Sequence, residues 1–324
     1  MTGATGGLGR TLVPMLLGGG YDVTATGRDA TIGARLEAIG ARFVAADLCD
    51  PEARPPLTGI DTVFHLAALS SPWGRADRFA AINVAATRRL LDQARASGCG
   101  TFIYASTPSI YTEPRDRIGL TEESPVARRF ANAYAASKYE AERAVLATNA
   151  PGLATIALRP RAIVGPDDRV LLPRLRRAAR RGRVPLPNRG AALIELTDVR
   201  DAAASFLAAD AARAAAAGRA FNISGGQPRR LGDLLSTLFA RDRIRPRLVP
   251  VPRGGAMAAA WVVERIAAAL PGRPEPPVTR YTIMTLAYSQ TFDLSAAREK
   301  LGWTPLRSPE EAIARALAGV AAYA

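Results

Sequence analysis

Short runs of β-forming residues alternate with longer segments of helical periodicity through the first half of the chain, and this alternation limits the fold more than any other feature. The predicted strands are 21–26, 41–46, 62–67, 101–106 and 154–159. The predicted helices between them are 8–17, 31–39, 75–97 and 131–149. Strands that are separated by helices form βαβ units, whose strands are parallel and whose crossovers are right-handed. The pattern therefore predicts an α/β fold with a doubly wound parallel sheet.

A glycine-rich segment, TGATGGLG (2–9), stands directly before the first predicted helix. Its glycines allow a tight turn and a close approach of the backbone to a pyrophosphate, which the N-terminus of the following helix attracts. Glycine-rich turns also occur at protein surfaces, so the motif gains its weight from the βαβ pattern behind it. We expect it to bind a dinucleotide through Gly3, Thr5, Gly6, Gly7, Leu8 and Gly9.

Only Met1 precedes this turn, whereas a buried central strand enters the corresponding turn of a dinucleotide-binding fold. Without that strand, its two neighbours would lie about 10 Å apart with unpaired backbone groups between them. We therefore expect the first strand to be missing and the natural product to begin several residues upstream. An unusual closure of the sheet is the alternative.

The regular alternation loosens from about residue 166. Prolines separate short predicted helices in this part of the chain at 231–239, 256–270 and 310–320. We predict a dinucleotide-binding domain over residues 1–165, completed by about 194–225. Residues 166–193 and 226–324 are predicted to form a smaller, mostly helical substrate-binding region.

The composition excludes several classes of protein. His65, Cys49 and Cys99 are too few soft ligands for a zinc or iron–sulfur site, so no metal is expected. Two isolated thiols suit a reducing, cytoplasmic setting, and no apolar run reaches the roughly 18 to 20 residues of a membrane span. We therefore expect neither secretion nor a membrane span.

The formal net charge of +14 raises the question of a nucleic-acid partner. The arginines are spread along the whole chain, and their one cluster, 174–183, contains no aromatic residue. Such a cluster is typical of a solvated helix face, with an acidic ligand such as a phosphate as the alternative. We expect no nucleic-acid partner, and a homodimer is the one assembly that we consider.

The charged residues after the first two predicted strands bear on the choice of dinucleotide. Arg28 suits the 2′-phosphate of NADP(H), with Arg10 as a second positive contact, whereas an inward Asp29 would suit the ribose hydroxyl of NAD(H). NADP(H) is therefore favoured over NAD(H). Asp47 and Leu48 are placed to meet the adenine, although Asp47 could instead cap a following helix.

Tyr134 and Lys138 stand four residues apart, on one face of a predicted helix. An ammonium beside an oxidised nicotinamide lowers the pKa of a phenol, which can then exchange a proton with a carbinol oxygen. A chain that uses arginine almost everywhere keeps a lysine here, where a compact ammonium is needed. An exposed helix face is the alternative explanation.

A cluster of hydroxyl side chains follows the fourth predicted strand. Ligands bind at the carboxyl ends of parallel strands, where such a hydroxyl can stabilise the charge that develops on a reacting oxygen. Thr107 and Ser106 compete for this role, with Ser109 as a third candidate. A Ser/Thr-rich turn without a chemical role is the alternative.

Together these motifs resemble the extended branch of the short-chain dehydrogenase/reductase superfamily, which includes NAD-dependent epimerases and dehydratases. The matching segments are TGATGGLG (2–9), HLAA (65–68), YAASK (134–138), LRP (158–160) and FDLSAAREKLGW (292–303). Three others, SSPWG (70–74), STPSIY (106–111) and LAYSQTFDLS (286–295), are most similar to the 3β-hydroxysteroid dehydrogenase group, including bacterial 2-alkyl-3-oxoalkanoate reductases. The resemblance covers nearly the whole chain and implies a Rossmann-type sheet.

The resemblance implies roles for individual residues. Tyr134 would be the acid/base, and Lys138 would bind the nicotinamide ribose and tune Tyr134. Thr107 matches the catalytic Ser/Thr position, and Asn83 matches a helix asparagine that helps to hold a water beside Lys138. His65 would be structural. The residues implied at the nicotinamide end of the cofactor are Leu66, Ala67, Ala68, Pro160 and Ile163.

The sequence favours an oxidoreductase that transfers a hydride between NADP(H) and a ketone or secondary alcohol of an apolar, 3-oxoacyl or steroid-like substrate. The apolar helix 256–270, with Trp261, suits the wall of such a pocket, although core packing gives the same pattern. A nucleotide-sugar epimerase or dehydratase is one alternative, because the arginine cluster could hold a diphosphate. A cofactor-binding regulator without chemistry is another, and the presence of Tyr134 and Lys138 argues against it.

Overall fold

The computed structural model of the chain describes residues 1–50, 52, 53, 55–167 and 172–321. Part of the predicted substrate region, residues 168–171, lies outside the described residues. The strands are β1 (Thr24–Gly27), β2 (Arg42–Ala45), β3 (Thr62–His65), β4 (Thr101–Ala105), β5 (Arg117–Leu120), β6 (Ala154–Pro160), β7 (Ile163–Val164), β8 (Arg183–Pro187), β9 (Leu193–Ile194), β10 (Thr197–Asp198), β11 (Arg219–Ile223), β12 (Arg229–Arg230), β13 (Arg247–Val251) and β14 (Gln290–Phe292). The α-helices are α1 (Gly7–Gly18), α2 (Ala30–Glu37), α3 (Ala76–Phe79), α4 (Ala86–Ala96), α5 (Ala133–Ala147), α6 (Leu172–Arg180), α7 (Val199–Ala211), α8 (Arg213–Ala216), α9 (Leu231–Arg241), α10 (Arg253–Ala269), α11 (Arg280–Ala287), α12 (Ser295–Leu301) and α13 (Pro309–Ala321).

A parallel sheet forms the centre of the molecule. Four of its strands pair in the order β11-β6-β4-β3, and β1 pairs with β2. Helices cover both faces, with α1 and α7 packed together on one side and α4 and α5 on the other. Because both faces are covered, the inner strands β4 and β6 are buried along nearly their whole length rather than at alternate residues. The predicted α/β fold with a doubly wound parallel sheet is confirmed.

Residues 1–4 lie between β1 and β3 and join the two parts of the sheet. Thr2 forms parallel bridges with Thr26 of β1 and His65 of β3. The Thr2 N–H donates to the Phe64 carbonyl at 2.9 Å, and the Thr26 N–H donates to the Met1 carbonyl at 2.8 Å. This short segment therefore pairs with both neighbours at the sheet edge where the glycine-rich turn begins.

The predicted helix 75–97 is a continuous helical segment with an irregular middle. A π-helical turn, Ala80–Ala85, separates α3 from α4 and carries the buried Asn83. Such a turn inserts a residue into the helix, which rotates the following side chains, and it is frequent at functional sites. The π-helical turn thus determines where the Asn83 amide points.

The later part of the chain combines helices with short strands that the sequence pattern did not predict. Strands β8 and β13 pair in parallel, β7 pairs with β10, and a mixed sheet has the order β12-β9-β14-β5. A second hydrophobic core lies between these strands and α6, α9 and α13. In the part of the chain that the structure describes, no helix has both the length and the apolar character required to cross a membrane.

Candidate active site

The glycine-rich turn requires glycine for steric reasons at two positions. Gly3 has a φ of +69°, and a Cβ there would lie 2.6 Å from the Ala67 nitrogen. A Cβ at Gly9 would lie 2.7 Å from the Ala4 Cα, because α1 packs closely against the turn. Both contacts are with backbone atoms that cannot move aside. The turn is therefore built for close approach of main chain.

The N-terminus of α1 faces a cavity of about 550 Å³. Gly6 occupies the N-cap position and, having no side chain, caps none of the first N–H groups of the helix. Gly3, Gly6, Gly7, Leu8 and Gly9 line this cavity, as does Thr11, which the sequence did not single out. Thr5 instead packs against Gly27. The turn fits the pyrophosphate of a nicotinamide dinucleotide, since a bare helix N-terminus attracts phosphate.

At the ends of β1 and β2, Arg28 and Asp29 have different environments. The Asp29 carboxylate accepts a hydrogen bond from the Ile32 N–H at 3.0 Å and so caps α2. The Arg28 side chain is 71% exposed, and its Nη1 lies 3.9 Å from an Asp47 carboxylate oxygen. Arg10 forms an ion pair with Asp167 at 2.5 Å. Of the two basic residues considered for a 2′-phosphate, Arg28 is thus the more accessible.

Asp47 and Leu48 follow β2 in an exposed turn. The Asp47 carboxylate accepts from the Cys49 N–H at 3.0 Å, which forms a local turn rather than the beginning of a helix in the described residues. This hydrogen bond is the main reason why the pKa of Asp47 is lowered. The Leu48 carbonyl accepts from Arg89 at 2.7 Å. Contact between these two residues and an adenine stays a prediction.

The segment after β3 is held in place by Asn83. The Asn83 side chain accepts from the Leu69 N–H at 2.7 Å and donates to the Leu69 carbonyl at 3.2 Å and to the Ser137 hydroxyl at 2.9 Å. Leu66 and Ala68 line the cavity, whereas the Ala67 N–H donates to the Thr2 hydroxyl at 3.4 Å. Asn83 therefore fixes the 66–69 segment relative to α5, the helix that carries Tyr134 and Lys138.

His65 is enclosed by two hydroxyl groups. Its ring nitrogens form hydrogen bonds with Thr2 at 2.6 Å and with Thr87 at 2.8 Å. Burial, with smaller contributions from the Lys138 and N-terminal charges, lowers the pKa of His65 to about 3. The imidazole is therefore neutral at physiological pH, which is consistent with a structural role.

Thr107, Ser109, Tyr134 and Tyr281 form a chain of hydroxyl groups on the cavity wall. The Thr107 hydroxyl donates to the Ser109 Oγ at 2.9 Å, and the Ser109 Oγ is 2.7 Å from the Tyr281 hydroxyl. Hydrogen bonds with Thr107 and Ser70 lower the pKa of Tyr134, but burial first and the Tyr281 phenol second raise it to about 12. In this structure the Tyr134 phenol is therefore protonated at neutral pH.

Ser106 points away from these hydroxyls. Its Oγ donates to a Glu142 carboxylate oxygen at 2.6 Å, and Glu142 also accepts two hydrogen bonds from Arg159, at 2.6 and 2.8 Å. The three side chains form a buried polar cluster behind the cavity wall, to which Ser106 itself contributes. Of the three hydroxyls considered from the sequence, Thr107 is the one next to Tyr134.

Lys138 is buried beneath Tyr134. Its Nζ donates to the Ala105 carbonyl at 2.5 Å and lies 4.0 Å from the centre of the Tyr104 ring. Burial lowers the pKa of Lys138 to about 7, while the Glu142 carboxylate one turn along α5 acts in the opposite direction. A group at this position can take or release a proton near neutral pH.

Beyond Tyr134 the cavity continues into an apolar chamber. Pro160 and Ile163 line the same cavity, and their contact with the nicotinamide stays a prediction. The chamber walls are formed by Val184, Ile194, Leu196, Leu231, Leu234, Leu235, Leu238, Leu286 and Ile313. Arg161, which also lines the cavity, lies within the segment 160–163 that the resemblance implies at the nicotinamide end, but it had no role of its own assigned. Tyr281, another lining residue, had no signal in the sequence.

One expectation about this chamber requires correction. The helix α10 does not contribute to the described lining, and its Trp261 is 51% exposed. The helix packs instead through Ala256, Ala260, Glu264 and Ala267, since its spacing buries only one narrow stripe. The suggestion that it lines the pocket is therefore wrong.

The arginine cluster 174–183 lies mainly at the surface. Arg176 forms an ion pair with Asp242 at 2.7 Å. The exposed members are Arg177, Arg180, Arg181 and Arg183, while the Arg174 side chain lies outside the described residues. No described arginine of the cluster lines the cavity. This placement agrees with a solvated helix face.

Comparisons with known proteins identify the family of the chain. Residues 1–224 match the model of the NAD dependent epimerase/dehydratase family. The chain is 37% identical to the 2-alkyl-3-oxoalkanoate reductase of Stenotrophomonas maltophilia (strain K279a), over 99% of both chains. It is 29% identical to a 3 beta-hydroxysteroid dehydrogenase/Delta 5-->4-isomerase of Mycobacterium tuberculosis, over 98% of this chain and 88% of the relative.

Among solved structures, the chain is similar to MoeE5 in complex with UDP-glucose and NAD, with a TM-score of 0.76 and 25% identity over 99% of this chain and 98% of that one. The resemblance of the motifs to the extended short-chain dehydrogenases/reductases is thus confirmed over nearly the full length. The chain belongs to the NAD dependent epimerase/dehydratase family and is an NAD(P)-dependent enzyme of the short-chain dehydrogenase/reductase type.

Proposed function

We propose that this enzyme uses NADPH to reduce the ketone of an apolar 3-oxo acid, with Tyr134 as the proton donor. The observation that carries the proposal is the lining of the cavity. One cavity is lined by the glycine-rich turn, by Tyr134 and Lys138, and by leucine, isoleucine and valine side chains. An apolar chamber of this kind favours a substrate with an alkyl chain.

The similarity to a 2-alkyl-3-oxoalkanoate reductase supports the same substrate class, because that relative is 37% identical over 99% of both chains. We propose that residues 1–165 and about 194–225 bind the cofactor. Residues 166–193 and 226–324 would then form most of the substrate chamber, which agrees with the positions of Val184, Leu234 and Ile313.

Each residue near Tyr134 has a proposed task. NADPH, when bound, supplies the hydride. The Tyr134 phenol, protonated because burial raises its pKa to about 12, donates the proton that the product alcohol requires. When the substrate binds, the Thr107 hydroxyl, next to Tyr134, would turn from the Ser109 Oγ and donate its hydrogen bond to the ketone oxygen as charge develops on it. Lys138 would hold the nicotinamide ribose and replenish the proton of Tyr134.

A nucleotide sugar fits this chamber less well. MoeE5, the similar solved structure, is complexed with UDP-glucose, whose diphosphate needs cationic or N–H donors in its site. The described arginines of the 174–183 cluster lie outside the cavity lining, and Arg161 is the single arginine among the described lining residues. The walls beyond Tyr134 are instead mainly apolar, which favours the alkyl substrate.

A direct assay distinguishes these substrate classes. The enzyme with NADPH is mixed separately with a 2-alkyl-3-oxo acid, a 3-oxosteroid and a nucleotide sugar, and the loss of NADPH absorbance is followed. We expect the 3-oxo acid to give the highest kcat/KM. Turnover of the nucleotide sugar alone, or of none of the three, would contradict the proposed function.

We also propose that Arg28 selects NADPH over NADH. Arg28→Asp should lower the ratio of kcat/KM for NADPH to that for NADH by about 10²-fold, because a charge-assisted hydrogen bond is lost and a repulsive carboxylate is added. The matched control is Arg42→Asp, which makes the same charge change at the exposed beginning of β2. An unchanged cofactor ratio in Arg28→Asp would show that Arg28 does not contact the 2′-phosphate.

Thr107→Ala should lower kcat by roughly 10² to 10³, since a hydroxyl that stabilises developing charge would be removed. The control is Ser106→Ala, which removes a hydroxyl that donates to Glu142 and not to Tyr134. We expect this control to stay within about threefold of the parent enzyme. A larger loss of kcat in Ser106→Ala than in Thr107→Ala would move the catalytic hydroxyl to Ser106.

A further inference from the structure

Arg161 is a buried arginine in the wall of the cavity. Arg161 follows directly after β6 and is 6% exposed. Its backbone is fixed on both sides, since its N–H donates to the Ile223 carbonyl at 2.8 Å and its carbonyl accepts from the Thr197 hydroxyl. The main chain of Arg161 is therefore held in place beside the cavity.

The guanidinium has no anionic partner among the described residues. Its Nε forms no hydrogen bond, and no described carboxylate forms an ion pair with it. Glu195 acts on it only through its charge, and burial raises the pKa of Glu195. The Glu195 oxygens already accept from the Ser224 hydroxyl and, at 3.3 Å, from the Phe292 N–H.

Arg159 shows what the same fold does with a structural arginine. Arg159 is also 6% exposed, but two of its nitrogens donate to the Glu142 carboxylate at 2.6 and 2.8 Å. A buried cation without such a partner is destabilising, because burial removes its hydration. The unpaired state of Arg161 therefore points to a partner that arrives with the substrate.

The surroundings of Arg161 place it at the reacting end of the cavity. Its charge interacts with Tyr281, whose hydroxyl is 2.7 Å from the Ser109 Oγ. Ser109 is hydrogen-bonded to Thr107, next to Tyr134. The carboxylate of a 3-oxo acid is separated from its ketone by a single carbon, so both groups of such a substrate must lie close together.

We infer that Arg161 binds the carboxylate of the substrate, so that the enzyme selects free 3-oxo acids over neutral esters and steroids. This inference rests on the proposed function for the identity of the substrate. The planar guanidinium can donate two parallel hydrogen bonds to a carboxylate, which is the pairing that arginine favours. The apolar chamber would take the alkyl chain while Arg161 holds the acid group.

Binding to the enzyme loaded with NADP⁺ tests this inference without any turnover. Decanoate and its neutral isostere decanamide are titrated by calorimetry. We expect the parent to bind decanoate at least about tenfold more tightly than decanamide, as a charged hydrogen-bonded pair allows. Arg161→Gln should remove this preference, and Arg161→Lys should keep part of it. The control Arg298→Gln removes an exposed arginine of α12 and should behave as the parent.

Two further measurements separate the possible failures. The NADP⁺ affinity should be unchanged in Arg161→Gln, since a drop would assign Arg161 to the cofactor and overturn the inference. Its melting temperature should not fall, because an unpaired buried charge is removed. Equal binding of decanoate and decanamide to the parent, or a preference that survives in Arg161→Gln, would also overturn it. A preference that depends on Arg161, without turnover of any 3-oxo acid, would contradict only the proposed reaction.

Discussion

Tyr134→Phe is expected to lower kcat by about 10³- to 10⁴-fold while leaving the dissociation constant of NADPH nearly unchanged. The substitution removes one hydroxyl, which is the only group on that side chain able to donate a proton. The aromatic ring remains, so it still packs against Phe79, whose ring centroid lies 6.4 Å from that of Tyr134. Single-turnover NADPH oxidation and a fluorescence titration of NADPH measure the two quantities separately.

A matched control comes from the same helix. Tyr139 lies five residues further along α5, where its ring packs against Phe130 at a centroid distance of 5.3 Å. Tyr139→Phe makes the identical chemical change away from the cavity, and kcat should stay within about twofold of the parent. Retention of activity within about tenfold in Tyr134→Phe would refute Tyr134 as the proton donor.

The central sheet and its helices were predictable because their signals are local. Each strand of the nucleotide half is a short apolar run, and each helix between them has a periodic apolar face. The predicted helix 8–17 corresponds to α1 (Gly7–Gly18), and the predicted strand 101–106 corresponds to β4 (Thr101–Ala105). The short strands of the later half were missed, because a two-residue strand such as β9 or β12 is defined only by its distant partners.

The site was predictable where chemistry depends on spacing within one element. The separation of Tyr134 and Lys138 by one helical turn is such a case. The choice between Ser106 and Thr107 was not, because adjacent residues of an extended segment point in opposite directions and the sequence does not say which way each one faces. In the folded chain the Ser106 hydroxyl donates to Glu142, which favours Thr107, but Thr107 as the catalytic hydroxyl stays a prediction.

Arg161 and Tyr281 are residues of the candidate site that the sequence could not identify. They are 120 residues apart in the chain, yet both line the cavity. Nothing in the composition marks one arginine among many as buried and unpaired. Only the tertiary structure distinguishes Arg161 from Arg159, since both follow the same pattern in and after β6.

The second large effect concerns stability and involves the buried cluster behind the cavity wall. Glu142→Leu should lower the free energy of unfolding by about 3 to 5 kcal/mol, the cost of leaving a buried charge without its partner. Arg159 would keep only the Tyr111 hydroxyl as an acceptor, and the Ser106 hydroxyl would lose its acceptor too. Urea denaturation at neutral pH, followed by circular dichroism, measures the loss.

The double variant Glu142→Leu/Arg159→Met separates this cost from the loss of side-chain packing. If the penalty comes from the unpaired guanidinium, removing Arg159 as well should restore much of the lost stability, because an apolar pair needs no hydration. Additive effects of the two substitutions would show that the residues contribute independently and would contradict the argument.

The same carboxylate raises the pKa of Lys138 against the effect of burial, so Glu142→Leu should also lower the pKa of Lys138 below its value of about 7. Lys138 would then be neutral at physiological pH, which connects the stability of the buried cluster with the proton supply of Tyr134.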